Sequence, residues 1–432
     1  MADQNAKSDL PQQSRRNILD TLELDTRLLG MIGAFVVICV VFDIWTGGRF
    51  LTPRNIFNLT IQTVSVAIMA TGMVFVIVTR HIDLSVGALL ATCSAFMGMA
   101  MTAWLPNILG IELGSGIIAP IAILVGIVVG TAIGAFHGWL IGYLTIPAFI
   151  VTLGGLFVWR NVAWHLSSGQ TLGPLDPTYL KLGGISGTLG ATGSWVLGIL
   201  AAGFSLYLLF NARRSKVAHG FPVKPVWAEL TIAGVVSGTI LGFVWILNSY
   251  EIPVRKLARE FAARGEEMPE GYTEVYGVPY SVIILIIVAL VMTVVAQRTR
   301  LGRYIFATGG NPEAAQLSGI DTKLLTVKIF AIVGFLCAIS AVVASARLTY
   351  HTNDIGTLDE LRVIAAAVIG GTALSGGFGT IYGAILGALI MQSLQSGMAM
   401  VGVEAPYQNI VVGIVLVFAV YVDILYRKRT GD

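Results

Sequence analysis

The sequence is short of charged residues: Asp, Glu, Lys and Arg make up 12% of its 432 residues, against about 25% in ordinary soluble domains. Hydrophobic residues make up 55%, and the mean hydropathy is +0.80. A net charge of +3 is too small to indicate nucleic-acid binding, and the basic residues cluster beside apolar runs instead of forming a stripe. This composition indicates an integral membrane protein and argues against a nucleic-acid partner.

Motifs of catalysis and of metal binding are also missing. The phosphate-binding string Gly-x-x-x-x-Gly-Lys-Ser/Thr does not occur, and no run has the spacing of His, Asp and Glu metal ligands or of a Ser, His and Asp nucleophile set. The three cysteines, Cys39, Cys93 and Cys337, each lie in an apolar stretch and are interpreted as packing residues. We therefore expect no catalytic residue, no metal and no cofactor bound by this chain.

Apolar runs long enough to cross a membrane recur along the chain. About 20 apolar residues at 1.5 Å each cross the ~30 Å hydrocarbon layer. Candidate spans begin near residues 28, 57, 84, 117, 147, 194, 228, 280, 326, 361, 378 and 407. The run 361–377 ends in glycines that break a helix, and it is interpreted as a half-helix that enters the membrane and turns back. The predicted fold is an all-α polytopic membrane protein of about 10–12 transmembrane helices, some broken or re-entrant.

Basic residues that flank the spans predict the orientation of the chain. Those expected on the cytoplasmic side are Lys7, Arg15, Arg16, Arg27, Arg213, Arg214, Lys216, Lys224, Arg298, Arg300, Arg303, Lys323, Arg427, Lys428 and Arg429. Both termini are then cytoplasmic, with tails 1–27 and 427–432 flanking a transmembrane domain 28–426. The loop 248–279 mixes basic residues with six glutamates; it is expected outside, with a short amphipathic helix at its surface.

Glycines recur at every fourth position in two spans, at Gly126, Gly130, Gly134, Gly138 and Gly142, and again at Gly379, Gly383 and Gly387. Such a track lets a neighbouring backbone cross in contact. Tight packing is the preferred interpretation, and dense helices of this kind can wall a passage. The stretches "IDLSVGALLA" and "TALSGGFGTIYGA" share Leu-Ser-x-Gly, which is a weak internal pseudo-repeat that coincidence explains equally well.

The stretch "GGNPEAAQLSGI", residues 309–320, predicts a short polar helix with a cap at each end. Asn311 is a good N-cap, Pro312 suits the first position, and Gly319 suits the left-handed position after the end. A helix of about two turns is not stable alone, so it must rest on something. Ala314 and Leu317 would form a small contact face. Either the helix lies along its own chain, or it projects toward a partner and transmits the partner's motion to the flanking spans.

Polar residues inside spans are functional hypotheses by default. The candidate translocation path comprises Asp83, Ser85, Arg160, Asn161, Gln392 and Gln395. Asp83 has the alternative of capping the helix that follows it, and Arg160 that of anchoring the outer end of its span. The glutamines suit an uncharged, polyhydroxylated solute, although hydrogen bonding between helices is an equal alternative.

The run "EAAQLSG" resembles the Glu-Ala-Ala-x-x-x-Gly loop by which permeases of ABC importers dock on their ATPases. Three further stretches, "IDLSVGALLA", "IPAFIVTLGGLFVWRNVA" and "VIGGTALSGGFGTIYGAILGALIMQSLQSGMAMVGV", resemble the ribose, arabinose and xylose branch of sugar permeases. The likeness runs from about residue 28 to 425. The chain departs from this pattern at Arg80 and His81, and in an outer insertion of about 252–277.

This resemblance implies the transmembrane subunit of an ATP-driven importer of a monosaccharide, D-xylose or a related pentose or hexose, in a bacterial inner membrane. It implies three partners: a second copy of the permease, a cytoplasmic subunit that hydrolyses ATP with Mg, and a periplasmic sugar-binding protein. Residues 309–321 become the coupling helix. Its expected ATPase-coupling residues are Asn311, Glu313, Ala314, Ala315, Leu317 and Gly319.

Two other functions have weaker support. An ion-coupled secondary transporter would need a titratable carboxylate at midspan, whereas Asp83 lies at a break and Asp43 and Asp423 lie near span ends. A membrane enzyme acting on lipid-linked sugars would need an exposed acid or base cluster. The glutamates of the loop 248–279 alternate with basic residues, as the face of a solvated helix does.

Overall fold

The structure is a computed structural model that describes residues 26–263 and 265–430, and within these ranges the chain is helical, with isolated bridges but no strand. The predicted N-terminal tail up to residue 25, Arg264 of the loop 248–279 and residues 431–432 lie outside the described residues. The side chains from residue 422 onward, including the basic residues of the C-terminal tail, also lie outside them.

Sixteen helices follow one another along the described chain. They are α1 Thr26–Trp45, α2 Pro53–Val78, α3 Val86–Leu109, α4 Ile118–Gly142, α5 Ala148–Ser167, α6 Pro177–Leu180, α7 Gly190–Ala218, α8 Val226–Asn248, α9 Val254–Ala263, α10 Tyr280–Arg298, α11 Arg300–Gly310, α12 Pro312–Leu317, α13 Thr322–Leu348, α14 Asp359–Ile369, α15 Ile381–Met400 and α16 Ala405–Thr430. Each predicted span begins within four residues of an observed helix start.

Nine of the described helices are long and apolar enough to cross a membrane, namely α1, α2, α3, α4, α7, α8, α10, α13 and α15. Three further helices occupy the remaining predicted positions. The 20-residue α5 carries polar residues near its end, α16 begins with the apolar run Ala405–Tyr421, and α14 has 11 residues, a length of about 16 Å at 1.5 Å per residue. The fold is therefore the expected all-α polytopic membrane protein.

The first glycine track brings α4 into backbone contact with α13. A Cβ atom on Gly130 would lie 2.5 Å from the carbonyl oxygen of Gly334, and one on Gly134 would lie 2.2 Å from that of Phe330. Further along the same face, a Cβ atom on Gly142 would lie 2.6 Å from the Lys323 carbonyl oxygen. No side chain separates the two helices, so the packing interpretation of this track is confirmed.

The second track joins α14 to α15. A Cβ atom on Gly387 would lie 2.0 Å from the Ala366 carbonyl oxygen, and one on Gly383 would lie 2.1 Å from that of Gly370. The two helices therefore form a closely packed hairpin around the turn 370–380.

The two Leu-Ser-x-Gly stretches occupy different local structures. Ser85 immediately precedes α3, whereas Ser375 lies within the turn 370–380, ahead of Thr380, which caps α15. Both stretches lie at a break before a helix, but their matched residues do not occupy equivalent positions.

An irregular segment, residues 349–358, joins α13 to α14; His351 and Ile355 are buried in it, whereas Thr349, Tyr350, Asp354 and Thr357 are exposed. Positive φ angles at Thr349 (70°) and Leu358 (61°) keep it from continuing either helix. It begins beside Leu172, in the loop between α5 and α6, whose backbone pairs with that of His351 at 3.0 Å in both directions.

The chain that follows this segment, through α14 to Gly377, ends near the start of α13. There the Gly377 N–H donates to the Val78 carbonyl oxygen at 2.9 Å, and a Cβ atom on Gly377 would contact Gly310, just before α12. The chain from 349 to 377 thus runs antiparallel to α13 as an irregular stretch followed by a half-helix. The predicted half-helix is present, but it completes a crossing and does not turn back to the end from which it entered.

The loop 249–279 carries the predicted amphipathic helix as α9. The Lys256 ammonium lies 4.9 Å from the centre of the Tyr276 ring, and that ring stacks on Tyr250 with centroids 4.9 Å apart. Burial raises the pKa of Tyr276, and the neighbouring Tyr250 and Glu260 act in the same direction. The ring of Phe57, near the start of α2, lies 5.3 Å from that of Tyr250 and 5.0 Å from that of Tyr276, so an aromatic cluster attaches the loop to this span.

Replacement of Gly134 by alanine tests the contact between α4 and α13. The free energy of unfolding should fall by about 1–3 kcal/mol, because the added methyl group must push the two helices apart. The thermal midpoint of the detergent-solubilised protein measures the change. Gly154→Ala is the matched control, since its Cβ atom meets nothing within 4 Å. Equal midpoints for the two variants would contradict the packing account.

Candidate functional site

A polar cavity of about 360 Å³ lies where the irregular segment 349–358 meets α2, α13, α14 and α15. This volume is within the ~300–1,000 Å³ typical of small-molecule sites. Most of its lining side chains can form hydrogen bonds. These are Gln62, Ser65, Arg347, Asp354, Thr357, Asp359, Arg362, Gln392 and Gln395. The cavity is therefore suited to a small polar solute.

The charges that line the cavity are balanced, two arginines against two aspartates. Arg362 donates from Nη1 to Oδ1 of Asp359 at 3.0 Å, and Asp359 is 9% exposed. When the side-chain oxygen of Gln395 faces Arg362, that oxygen accepts hydrogen bonds from Arg362 Nε at 2.9 Å and from Arg362 Nη2 at 3.3 Å. Because the charges compensate one another, the lining suits an uncharged solute better than an ion.

Hydrogen bonding between side chains also links the cavity walls across helices. The Gln392 side-chain amide donates to the side-chain oxygen of Gln62 at 2.9 Å, which ties α15 to α2. Each glutamine amide has two N–H donors and a carbonyl oxygen. The pair therefore has further hydrogen-bonding capacity with which to meet hydroxyl groups of a solute.

Arg160 binds the backbone of the irregular segment. Its Nη1 donates to the carbonyl oxygens of Asn353 at 3.0 Å and Ile355 at 2.6 Å. The Ser167 hydroxyl adds a bond to the Asn353 side-chain oxygen at 3.0 Å. Carbonyl groups outside a helix need such partners in a membrane interior. Arg160 therefore acts on the backbone of the segment and does not line the cavity.

Asp83 and Ser85 belong to a separate buried cluster at the start of α3. Oδ1 of Asp83 accepts from the Ser85 N–H at 2.8 Å and from the Ser85 hydroxyl at 2.6 Å. Trp159 Nε1 donates to His137 Nε2 at 2.8 Å, while His137 Nδ1 lies 3.3 Å from the Ser85 hydroxyl. The serine lies between the carboxylate and the imidazole, so this is not the arrangement of a nucleophile activated by histidine. Asp83 binds the N–H of Ser85, the residue at the N-cap position of α3, and no side-chain cap hydrogen bond is formed there, so the capping alternative is not confirmed.

The structure thus separates the residues of the predicted path. Gln392 and Gln395 line the cavity, Arg160 supports its wall, and Asp83 and Ser85 lie outside the lining. Asn161 is exposed, and its amide donates to the Phe157 carbonyl oxygen at 2.8 Å. Among the described residues, no group of three His, Cys, Asp or Glu side chains is placed to hold a metal ion.

Sequence reasoning missed the charged residues of the cavity, above all Asp359, Arg362 and Arg347. The available signal was the pair Asp359 and Arg362, opposite charges three residues apart immediately before an apolar run. The predicted span began at residue 361, which left Asp359 outside the membrane. Arg347 was overlooked because it lies in the last turn of a long apolar helix, where basic residues ordinarily mark the interface.

The capped helix is formed as α12, with the predicted caps. The Asn311 side chain accepts from the Ala314 N–H at 3.0 Å, and Gly319 has a φ of +84°. Ala315 is 4% exposed and rests on its own chain, whereas Leu317 is 91% exposed. The helix is therefore supported on one side and presents an apolar side chain on the other.

The chain matches a family described as branched-chain amino acid transport system / permease component over residues 55–420. It is 33% identical over 414 residues to the xylose transport system permease protein of Escherichia coli K12, with 94% of each chain covered. Identity to the xylose transport system permease protein of Haemophilus influenzae is 34%, over 92% of this chain and 96% of that protein. The ribose import permease protein of Escherichia coli K12 is 30% identical, over 91% and 92%. No solved structure matches the chain.

Replacement of Arg362 by methionine tests the charge balance of the cavity. Asp359 would lose its partner, and the free energy of unfolding should fall by roughly 1–3 kcal/mol, between the values for exposed and for buried ion pairs. Adding Asp359→Asn to the same chain should restore part of this loss in thermal unfolding. The control is Glu260→Gln, which removes the exposed pair with Lys256 at 3.9 Å. An Arg362→Met midpoint no lower than that of the control would contradict the balance.

Proposed function

The chain belongs to the family of permease components of branched-chain amino acid transport systems, and from that premise we propose that it is the transmembrane subunit of an ATP-driven monosaccharide importer. The observation that carries the sugar assignment is the polar, charge-balanced cavity at the break between α13 and α14. Binding sites near the midplane, at discontinuous helices, are a recurring feature of transporters. An uncharged, polyhydroxylated solute satisfies such a lining without adding a charge.

The proposed substrate is D-xylose or a related pentose or hexose. The support for it is the likeness along nearly the whole chain to permeases named for xylose and ribose. Gln62, Gln392 and Gln395 would bind the hydroxyl groups, while Arg347 and the pair Asp359 and Arg362 would orient them. Transport would proceed by alternating access, with the cavity opening to one side of the membrane at a time.

The energy would come from a separate subunit, because the sequence has no phosphate-binding string of its own. We propose a complex of two copies of this chain with cytoplasmic ATPase subunits, which hydrolyse ATP with Mg, and with a periplasmic sugar-binding protein. Both termini and the segment 309–321, here called the coupling segment, would face the cytoplasm of a bacterial cell. Asn311, Glu313, Ala314, Leu317 and Gly319 would then meet the ATPase, while Ala315 would hold the helix to its own chain.

Leu317→Asp should prevent productive docking of the ATPase. Leu317 is 91% exposed, so the substitution should not disturb folding, but a carboxylate would be costly to bury in an apolar groove of the partner. Co-purification with the ATPase subunit and sugar-stimulated ATP hydrolysis measure the effect. Phe221→Asp is the control, because Phe221 is also an exposed apolar residue, at 63%, in another loop expected in the cytoplasm. Wild-type docking by Leu317→Asp would remove this role from α12.

Uptake of labelled sugar into vesicles tests the function itself. The assembled transporter should take up D-xylose, with unlabelled pentoses and hexoses competing according to their fit, and vanadate should abolish uptake because it blocks the ATPase. A protonophore should have no immediate effect. The opposite pattern, loss with the protonophore and resistance to vanadate, would identify an ion-coupled secondary transporter instead.

A further inference from the structure

Three segments of the chain meet in backbone contact at the first residues of the coupling segment. They are the end of α2 (Val78 to Arg80), the end of α11 (Gly309 and Gly310), and the turn between α14 and α15 at Gly376 and Gly377. We call this meeting point the glycine junction. Arg80 donates from Nε to the Gly309 carbonyl oxygen at 3.0 Å and from Nη2 to that of Gly310 at 2.8 Å.

The junction leaves no room for extra atoms at Gly309 and Gly376. A Cβ atom on Gly309 would lie 2.1 Å from the Val78 carbonyl oxygen and 2.7 Å from the Gly377 nitrogen. One on Gly376 would lie 2.6 Å from Cγ of Arg80. The Gly377 N–H donates to the Val78 carbonyl oxygen at 2.9 Å, so the turn before α15 also contacts the end of α2 directly. The three segments can therefore shift relative to one another only if these contacts open.

Arg80 is held in a conformation that a side chain normally avoids. Its φ is +64°, in the left-handed region that is unfavourable for residues other than glycine. In this conformation its guanidinium reaches the last carbonyl groups of α11, which no residue of that helix can satisfy. A cation at this end also complements the helix dipole. The two hydrogen bonds thus offset a local backbone cost.

Each side of the junction leads to a functional element. Gly310 is followed directly by Asn311, the N-cap of α12. The turn that contains Gly377 joins α14 and α15, which pack through Gly387 and Ala366 with no side chain between them. These two helices carry Asp359, Arg362, Gln392 and Gln395 of the cavity wall.

We propose that Arg80 is a positioning residue that links the coupling segment to the wall of the cavity. This inference rests on the proposed function, because it assigns the route by which closure of the ATPase subunits changes the sugar site. A displacement of α12 is passed through Gly309 and Gly310 to Arg80 and α2, and through Gly377 to the α14 and α15 hairpin. Arg80 contacts neither sugar nor ATP; it acts by holding three backbones in register.

Two unrelated lesions of the glycine junction provide the test. Arg80→Met removes the donors at similar length, and Gly309→Ala places a methyl group against Val78 without changing any charge. Each variant is assembled with the ATPase and binding protein in liposomes, and D-xylose uptake and ATP hydrolysis are measured in the same sample. Arg80→Met should lower the ratio of sugar transported to ATP hydrolysed about tenfold, the size of effect expected from losing hydrogen bonds to a charged group. Gly309→Ala should lower the same ratio, because the added methyl group forces Val78 and Gly377 away from Gly309. ATP hydrolysis itself should stay within about twofold, since α12 is intact.

Matched controls separate this role from general damage. Gly154→Ala adds the same methyl group to helical backbone in α5, outside the junction, where its Cβ atom meets nothing within 4 Å. Arg214→Met removes an exposed arginine near the end of α7 that is expected in the cytoplasm. Both should keep the wild-type ratio. Arg80→Lys, which retains the charge and one donor group, should give an intermediate ratio, whereas loss of a purely structural contact would lower the amount of folded complex and leave the ratio unchanged.

The outcomes distinguish this inference from the function on which it rests. A wild-type complex without vanadate-sensitive uptake would overturn the proposed function. Wild-type coupling in both Arg80→Met and Gly309→Ala, in a complex that does transport, would overturn only the role of Arg80. If Arg80→Met does not assemble, Gly309→Ala and Arg80→Lys provide the test. A wild-type ratio of sugar transported to ATP hydrolysed in both variants would likewise overturn the role of Arg80.

Discussion

Backbone contact between α4 and α13 is the constraint on which the rest of the structure depends. With Gly130 and Gly334 facing each other, no side chain keeps the helices apart. Membrane helices lack a hydrophobic driving force against lipid, so close van der Waals packing must supply the association. This contact fixes α13 from Lys323 to Ala338. The position of its last turn in turn fixes where the irregular segment begins and where the cavity can form.

The irregular segment has a cost that only its surroundings can offset. Its backbone groups have no helical partners, and in a bilayer such groups are tolerated only when buried in protein or lining an aqueous space. Positive φ at Thr349 and Leu358 adds strain, of order 1–3 kcal/mol for each such residue. Arg160 compensates part of this by binding the carbonyl oxygens of Asn353 and Ile355. The same interruption of the helix leaves the polar space in which Asp359 and Arg362 can pair.

Close approach of two helices at glycine residues has two structural effects in this chain. Between α4 and α13 it forms a tight wall, and between α14 and α15 it makes two helices of unequal length into one unit. That unit ends at the glycine junction, next to the exposed α12. Packed backbones have few intermediate arrangements, so a small shift at one end of such a unit is carried to the other instead of being absorbed by flexible side chains.

Local patterns in the sequence determined the helices, the caps of α12 and the glycine tracks, because each depends on residues close together in the chain or repeating at helical spacing. Tertiary structure decided which polar residues meet. Gln62 and Gln392 are bonded across 330 positions of sequence, and Arg80 reaches Gly309 across 229, pairings that no local pattern specifies. The charges of Asp359 and Arg362 were visible, but their burial follows from an irregular crossing that hydropathy cannot detect. Hydropathy averages over a span, whereas a site depends on which faces of distant helices are turned toward the same space.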